Sequence, residues 1–235
     1  MIPTHTMYTR QRYDDDHEMR YRMELARETS IASMVAALKR ALYPVRWRWA
    51  ILPRHEELVR QTLLEAGWTG EFLPTETWPP EQLEDDDISS TLDSDDKVAP
   101  GFLRIIQRHW APGKPFIVTW QPVKERYSDG AIFEHRFKYT NDRPSPFYAI
   151  YNPTSRCYVY RKKHGHMDQL GAPVTMSKER GAIAVIHGRN KLMDISSRDK
   201  QLTPTKSSTP RRRGQGAKPQ KKRVRRPKRP PRNGT

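Results

Sequence analysis

Two clusters of bases near the C-terminal end carry the plainest chemistry in the sequence. Arg211, Arg212 and Arg213 form the first, and Lys221, Lys222, Arg223, Arg225, Arg226, Lys228 and Arg229 the second, across a spacer containing Gly and Pro. Cations at this density bind phosphate without sequence preference, driven by counterion release. Their spacing also resembles a bipartite nuclear import signal. In the body, Arg156, Arg161, Lys162 and Lys163 lie in and just after one predicted strand, beside Tyr158 and Tyr160. Arg46 and Arg48 alternate with Trp47 and Trp49 on another. Cations held on a rigid strand can reach a duplex, so these six are the candidate DNA-binding residues.

Other chemistries find less. His109, His135, His164, His166 and His187 offer nitrogen ligands, but Cys157 is the single thiol. A Cys-rich zinc module and a disulfide framework are therefore excluded, and no metal or cofactor is implied. The sequence has no G-x-x-x-x-G-K-[ST], no G-x-G-x-x-G, no H-E-x-x-H and no G-x-S-x-G, so no enzyme is expected.

The charge is unevenly placed. The 235 residues carry 43 Lys+Arg, 27 Asp+Glu and a net charge of +16. Fourteen of the bases come after Asp199 with no acid among them, leaving 29 bases against 27 acids before that point. Residues 71–96 hold ten acids and no base, with Leu83, Ile88 and Leu92 interspersed. Mutual repulsion makes this stretch an expected linker, and scattered apolar groups let it serve as an activation segment. No run of about 18 apolar residues suggests a membrane span, and residues 1–27 lack the apolar core of a signal peptide.

The elements that must hold these residues are read from periodicity. Thr29 and Ser30 can cap a helix over 31–42, where Ile31, Met34, Val35, Leu38 and Leu42 share a face, ended before Pro44. Residues 45–52 read as a strand and 54–66 as a second helix. After the acidic stretch, 101–110 is helical in pattern. Strands are expected at 115–123, 131–139, 147–151, 156–162 and 182–187, separated by Gly, Asn and Pro turns. The expected fold class is α+β: a polar segment (1–28), a small helix–strand–helix unit (29–70), an acidic linker (71–97), a β-rich domain (98–193) and a disordered basic tail (194–235).

At Pro115–Trp120 the chain reads P-F-I-V-T-W. Ile150-Tyr151-Asn152-Pro153 and Cys157-Tyr158-Val159-Tyr160-Arg161-Lys162 come after it. This order resembles the central region of the foamy virus (spumavirus) transcriptional transactivators, and the basic tail resembles their nuclear localisation cluster. The resemblance implies a protein of the host nucleus that binds double-stranded DNA in the viral long terminal repeat and internal promoter. It also implies host transcription machinery and import receptors as partners. Pro115, Phe116, Val118 and Trp120 would be scaffold, and Arg161, Lys162 and Lys163 DNA contacts. Primate members carry an activation segment after the basic cluster. Here Thr235 comes three residues after Arg232, so either activation lies elsewhere, with 71–96 the candidate, or the chain is a divergent member. The expected function is accordingly a promoter-binding transactivator, with homo-oligomerisation left open. The alternatives are a sequence-independent nucleic-acid-binding structural protein, nucleocapsid-like or ribosome-associated, and a nuclear adaptor that does not bind DNA.

Overall fold

The computed structural model describes residues 2–76, 87–134, 138, 140, 145, 147–153, 170–187 and 201–202. It is α+β, as the sequence leads one to expect. The chain opens with strand β1 (His5–Arg10), then helix α1 (Asp16–Ala26), a π-helical turn over Arg27–Ile31 and helix α2 (Ala32–Leu38). Strand β2 (Val45–Ala50), helix α3 (Glu56–Glu65) and strands β3 (Glu71–Thr75) and β4 (Ile88–Thr91) are next in order. Then come β5 (Lys97–Val98), helix α4 (Phe102–Arg108), β6 (Phe116–Trp120), β7 (Val123–Arg126) and β8 (Ile132–Glu134). Strands β9 (Tyr148–Tyr151), β10 (Val174–Ser177) and β11 (Ala182–Ile186) complete the described elements.

Seven strands form one sheet in the order β10-β6-β9-β4-β1-β2-β3. β1 runs parallel to both β2 and β4, β2 parallel to β3, and β10 parallel to β6. β9 is antiparallel to its neighbours β4 and β6. The chain thus steps outward from β1 through β2 to β3, then returns past β1 to place β4 on its other side. A crevice opens at such a reversal, outside the carboxyl ends of the strands. Four further strands pair as β5-β11-β7-β8.

Alternation along the strands builds the core. Met7, Trp47, Trp49, Ile88, Val118, Ala149 and Tyr151 share one buried cluster with Met19, Met23 and Ile31 of the α1–π–α2 rod, Val59 and Leu63 of α3, and Phe102 and Ile106 of α4. Helices α1 to α4 therefore bury their apolar stripes in one cluster. The opposite face carries a smaller cluster of Tyr8, Ile117, Tyr148, Ile150 and Leu170. Gly181 lies hard against the Trp120 indole: a Cβ there would sit 2.1 Å from its Nε1, so only glycine fits.

Strand β1 reads as polar yet is buried from His5 to Thr9. Its hydroxyls and ring are met across the sheet. His5 Nε2 lies 2.6 Å from Ser90 Oγ, Thr6 Oγ1 donates to Asp87 Oδ2 at 3.0 Å, and Thr9 Oγ1 donates to the Leu92 carbonyl at 2.7 Å. Burial pushes the His5 pKa down to about 3, which keeps the ring neutral.

Several expected elements appear where the periodicity placed them. Residues 45–52 contain β2, with Trp47 and Trp49 buried on one face and Arg46 and Arg48 on the other. P-F-I-V-T-W contains β6, and 147–151 contains β9. The expected helix at 31–42 is the second half of a longer rod that starts at Asp16, capped by Asp15 Oδ1 accepting the His17 and Glu18 N–H groups. Within the expected linker, Glu71–Thr75 and Ile88–Thr91 are strands of the main sheet. Strands from the expected N-terminal unit, acidic linker and β-rich domain thus pair in a single sheet. Arg156, Arg161, Lys162, Lys163, His135, His164, His166 and the basic clusters at 211–229 lie outside the described residues. Among the described residues no helix is long and apolar enough to cross a membrane.

Candidate active site

At the reversal of strand order, the residues just past the carboxyl ends of β1 and β4 come together. The two strand ends are locked together: Leu92 N–H donates to the Tyr8 carbonyl at 3.1 Å, and Thr9 Oγ1 donates to the Leu92 carbonyl at 2.7 Å. Immediately beyond β4 the chain makes a tight turn, Leu92-Asp93-Ser94-Asp95-Asp96, closed by Asp96 N–H to the Asp93 carbonyl at 3.1 Å. Three carboxylates are thereby gathered at the C-terminal end of a central parallel strand. Beyond β1 come Gln11, Arg12 and Tyr13. Gln11 is buried, and its Nε2 has no hydrogen-bond partner among the described residues. Arg10 and Arg12 are exposed at the same edge, where they can meet phosphate oxygens.

The three carboxylates have different surroundings. Asp96 is buried; its Oδ1 accepts the Val185 N–H at 3.0 Å, while burial and the neighbouring acids hold its pKa well above the ordinary carboxylate range. Asp95 Oδ2 lies 2.9 Å from His187 Nε2 and 3.5 Å from Arg22 Nη1. Arg22 itself sits over the Tyr13 ring, 5.5 Å from its centroid, and is held by Glu18 at 2.8 Å. Asp93 keeps solvent contact and makes no side-chain hydrogen bond or ion pair among the described residues. Enough protein surrounds its carboxyl, with Asp95 beside it, to push its pKa up to about 6. Tyr13 feels the same charges, and burial raises its pKa above the usual phenol value.

These acids have a consequence for stability in the absence of added cation. The Asp93 pKa is higher in the folded chain than in the unfolded one, so the folded state binds the extra proton. Stability from this group is complete below about pH 4 and is lost as pH rises through about 6. Asp93→Asn should therefore raise the urea midpoint at pH 7, and the gain should shrink to nothing toward pH 4. A gain that is the same at both pH values would show that the Asp93 charge is not under strain.

The sequence-derived site residues fall elsewhere. Arg46 lies on β2 with its charge met by Glu71 Oε2 at 2.7 Å and Asp87 Oδ2 at 4.0 Å. Arg48 is partly buried, and its Nε has no partner among the described residues. Of the histidines, His187 joins the acid turn and His109 lies beside Phe116, where burial lowers its pKa. The acid turn is a site that sequence reasoning misses. Its one signal in the sequence is a short run of Ile88, Ser89, Ser90, Thr91 and Leu92, a strand pattern, leading directly into three acids.

No protein-family model and no curated protein matches the chain. Among solved structures it is similar to S. aureus TarS 1-349, with 10% identity over 77% of this chain and a TM-score of 0.46. It is likewise similar to S. aureus TarS (11% identity over 78% of this chain, TM-score 0.45) and to TarS 1-349 in complex with UDP-GlcNAc (10% over 79%, TM-score 0.45). This chain spans 60%, 37% and 59% of those chains respectively. The overlap is loose, so the chemistry of the site must come from its own residues.

Two expectations are corrected here. A promoter-binding transactivator, with its transcription-regulation and DNA-binding character, gives way, as does the alternative of a nucleic-acid-packaging protein. The solved structures named above are of TarS, one of them in complex with UDP-GlcNAc. The expectation that the chain is not an enzyme is withdrawn with it.

Proposed function

We propose that the chain is a glycosyltransferase-type enzyme that takes a nucleoside-diphosphate sugar at the β1/β4 crevice. The observation that carries this is the carboxylate turn at the C-terminal end of β4, with Asp93 exposed and unpaired among the described residues. Among those residues no three His, Cys, Asp or Glu form a metal cage. Mg2+-like ions need none: they are held by one or two carboxylates together with substrate phosphates. The residues fit such an ion, because Asp93 and Asp95 crowd negative charge that it would relieve. A divalent cation bound there would supply charge neutralisation to a departing diphosphate.

The chain's own residues would do the rest. Asp93 and Asp95 hold the cation. His187 and Arg22 fix the Asp95 carboxylate from two different elements, and Asp96 anchors the turn to β11. Arg10, Arg12 and the buried Gln11 amide line the β1 side, where donor phosphates and nucleoside would lie. A sugar nucleotide is favoured over a triphosphate or a dinucleotide because the sequence has neither Gly-rich phosphate loop. The diphosphate is then the leaving group, and the sugar attached to it is what moves to an acceptor.

The test is donor binding by the full chain. Nucleotide sugars, UDP-GlcNAc first and guanosine, thymidine and cytidine donors after it, are titrated with Mn2+ and with EDTA. About 0.3 M salt suppresses non-specific phosphate binding by the basic tail. One donor should bind with Mn2+ and be released by EDTA. Binding indifferent to EDTA, or absent across the set, would overturn the proposal.

A further inference from the structure

The rod that carries α1 and α2 changes its winding beside the acid turn. Arg27–Ile31 forms a π-helix, one residue wider per turn than the α-helix on either side. At its centre the fully buried Thr29 has its Oγ1 2.7 Å from the Leu25 carbonyl and 3.1 Å from the Ser94 carbonyl. A threonine inside a helix commonly returns its hydroxyl to the i−4 carbonyl. Here the same hydroxyl also reaches the Ser94 carbonyl between Asp93 and Asp95, so its one proton is shared between two acceptors, with the shorter branch to Leu25. Four residues on, Ser33 Oγ donates to the Ser30 carbonyl and accepts the Val98 N–H at 3.1 Å. One helix face thus grips the chain within the acid turn and just beyond it, while Val185 and His187 hold Asp96 and Asp95.

We infer that Thr29 is a positioning residue for the carboxylates of this site: by hydrogen-bonding the Ser94 carbonyl it sets the angle at which Asp93 and Asp95 face the cleft. This role rests on the function proposed for the site and adds a residue that touches neither ligand nor cation. A π-turn is the device that allows it, since the extra residue re-aims the side chains of one turn without ending the helix. Valine at this position would fill the same space with no hydroxyl, so packing and hydrogen bonding can be separated.

The experiment measures the Mn2+ dissociation constant of the full chain in the presence of UDP, by paramagnetic relaxation of water, alongside the urea midpoint. Outer-shell partners of a metal site change its affinity by about 10–100-fold when removed. Thr29→Val should weaken Mn2+ by about tenfold or more, and Thr29→Ser should stay close to wild type. Ser33→Ala, which loosens the chain beyond the acids, should leave Mn2+ affinity unchanged. Should Thr29→Val fail to fold, Thr29→Ala takes its place: it should weaken Mn2+ by a similar factor, and wild-type affinity in it would equally overturn the inference. Wild-type affinity in Thr29→Val, weakening in Thr29→Ser, or equal weakening in Ser33→Ala would overturn the inference while leaving the site in place. If wild-type protein binds no Mn2+ and Asp93→Asn changes nothing, the proposed function falls and the inference with it.

Discussion

Asp93→Asn and Asp95→Asn should each lower the rate of sugar transfer, or of donor hydrolysis where no acceptor is supplied, by about 100-fold. A cation acting as Lewis acid contributes several kcal/mol, and about 3 kcal/mol is roughly 100-fold in rate. The two substitutions differ in their side effects, which makes the pair informative. Asp95 neutralises Arg22 and lies 2.9 Å from His187, so its removal leaves Arg22 without that partner and also costs stability. Asp93 has no such partner among the described residues, so its neutralisation relieves repulsion and should stabilise the fold at pH 7 while it lowers activity. A gain in stability with a loss of function is the mark of a residue kept for chemistry. Steady-state rates with saturating Mn2+, measured beside the urea midpoint, check both halves. Wild-type rates in Asp93→Asn would remove this turn from the mechanism.

Trp47→Ala should lower stability by about 3–5 kcal/mol, the usual range for deleting a buried large aromatic. Trp47 is fully buried on β2, between β1 and the edge strand β3. Its ring meets Trp49 at 5.1 Å and Trp68 at 5.0 Å between centroids, and its Nε1 donates to Thr9 Oγ1. Thr9 in turn donates to the Leu92 carbonyl, the last residue before the acids. The substitution therefore opens a cavity under β1 and unties the two strand ends that frame the crevice. Against a total stability of roughly 5–15 kcal/mol the loss is large. Urea unfolding monitored by circular dichroism measures it, and Trp47→Phe, which keeps a ring but not the N–H, should lose less than half as much. A cost below about 1 kcal/mol for the alanine variant would mean that the tryptophan cluster does not support the sheet.

The elements legible in the sequence are those whose apolar residues recur on one face. Trp47 and Trp49 alternating with arginines mark β2, and P-F-I-V-T-W marks β6, because β-branched and aromatic runs between turn residues have few other uses. Strand β1 is not legible, because His5, Thr6 and Thr9 are polar; what makes them acceptable in the core is Ser90, Asp87 and the Leu92 carbonyl, more than eighty residues away. Helix α1 is hidden for a related reason, since Met19, Met23 and Leu25 are scattered among charges that face outward or pair across the fold.

The acids show the division most clearly. Along the chain, residues 71–96 hold ten acids and no base, which by itself implies repulsion and an open linker. In the folded chain the opposing groups come from far away: Arg46 meets Glu71 and Asp87, while Arg22 and His187 meet Asp95. Local composition determined the fold class, several strands and the uneven division of charge, because these depend on neighbours in sequence. Which carboxylate would be neutralised, which buried and which left open to a cleft was decided by strand order, because Coulomb energy and desolvation depend on distances that exist only once β4 lies beside β1.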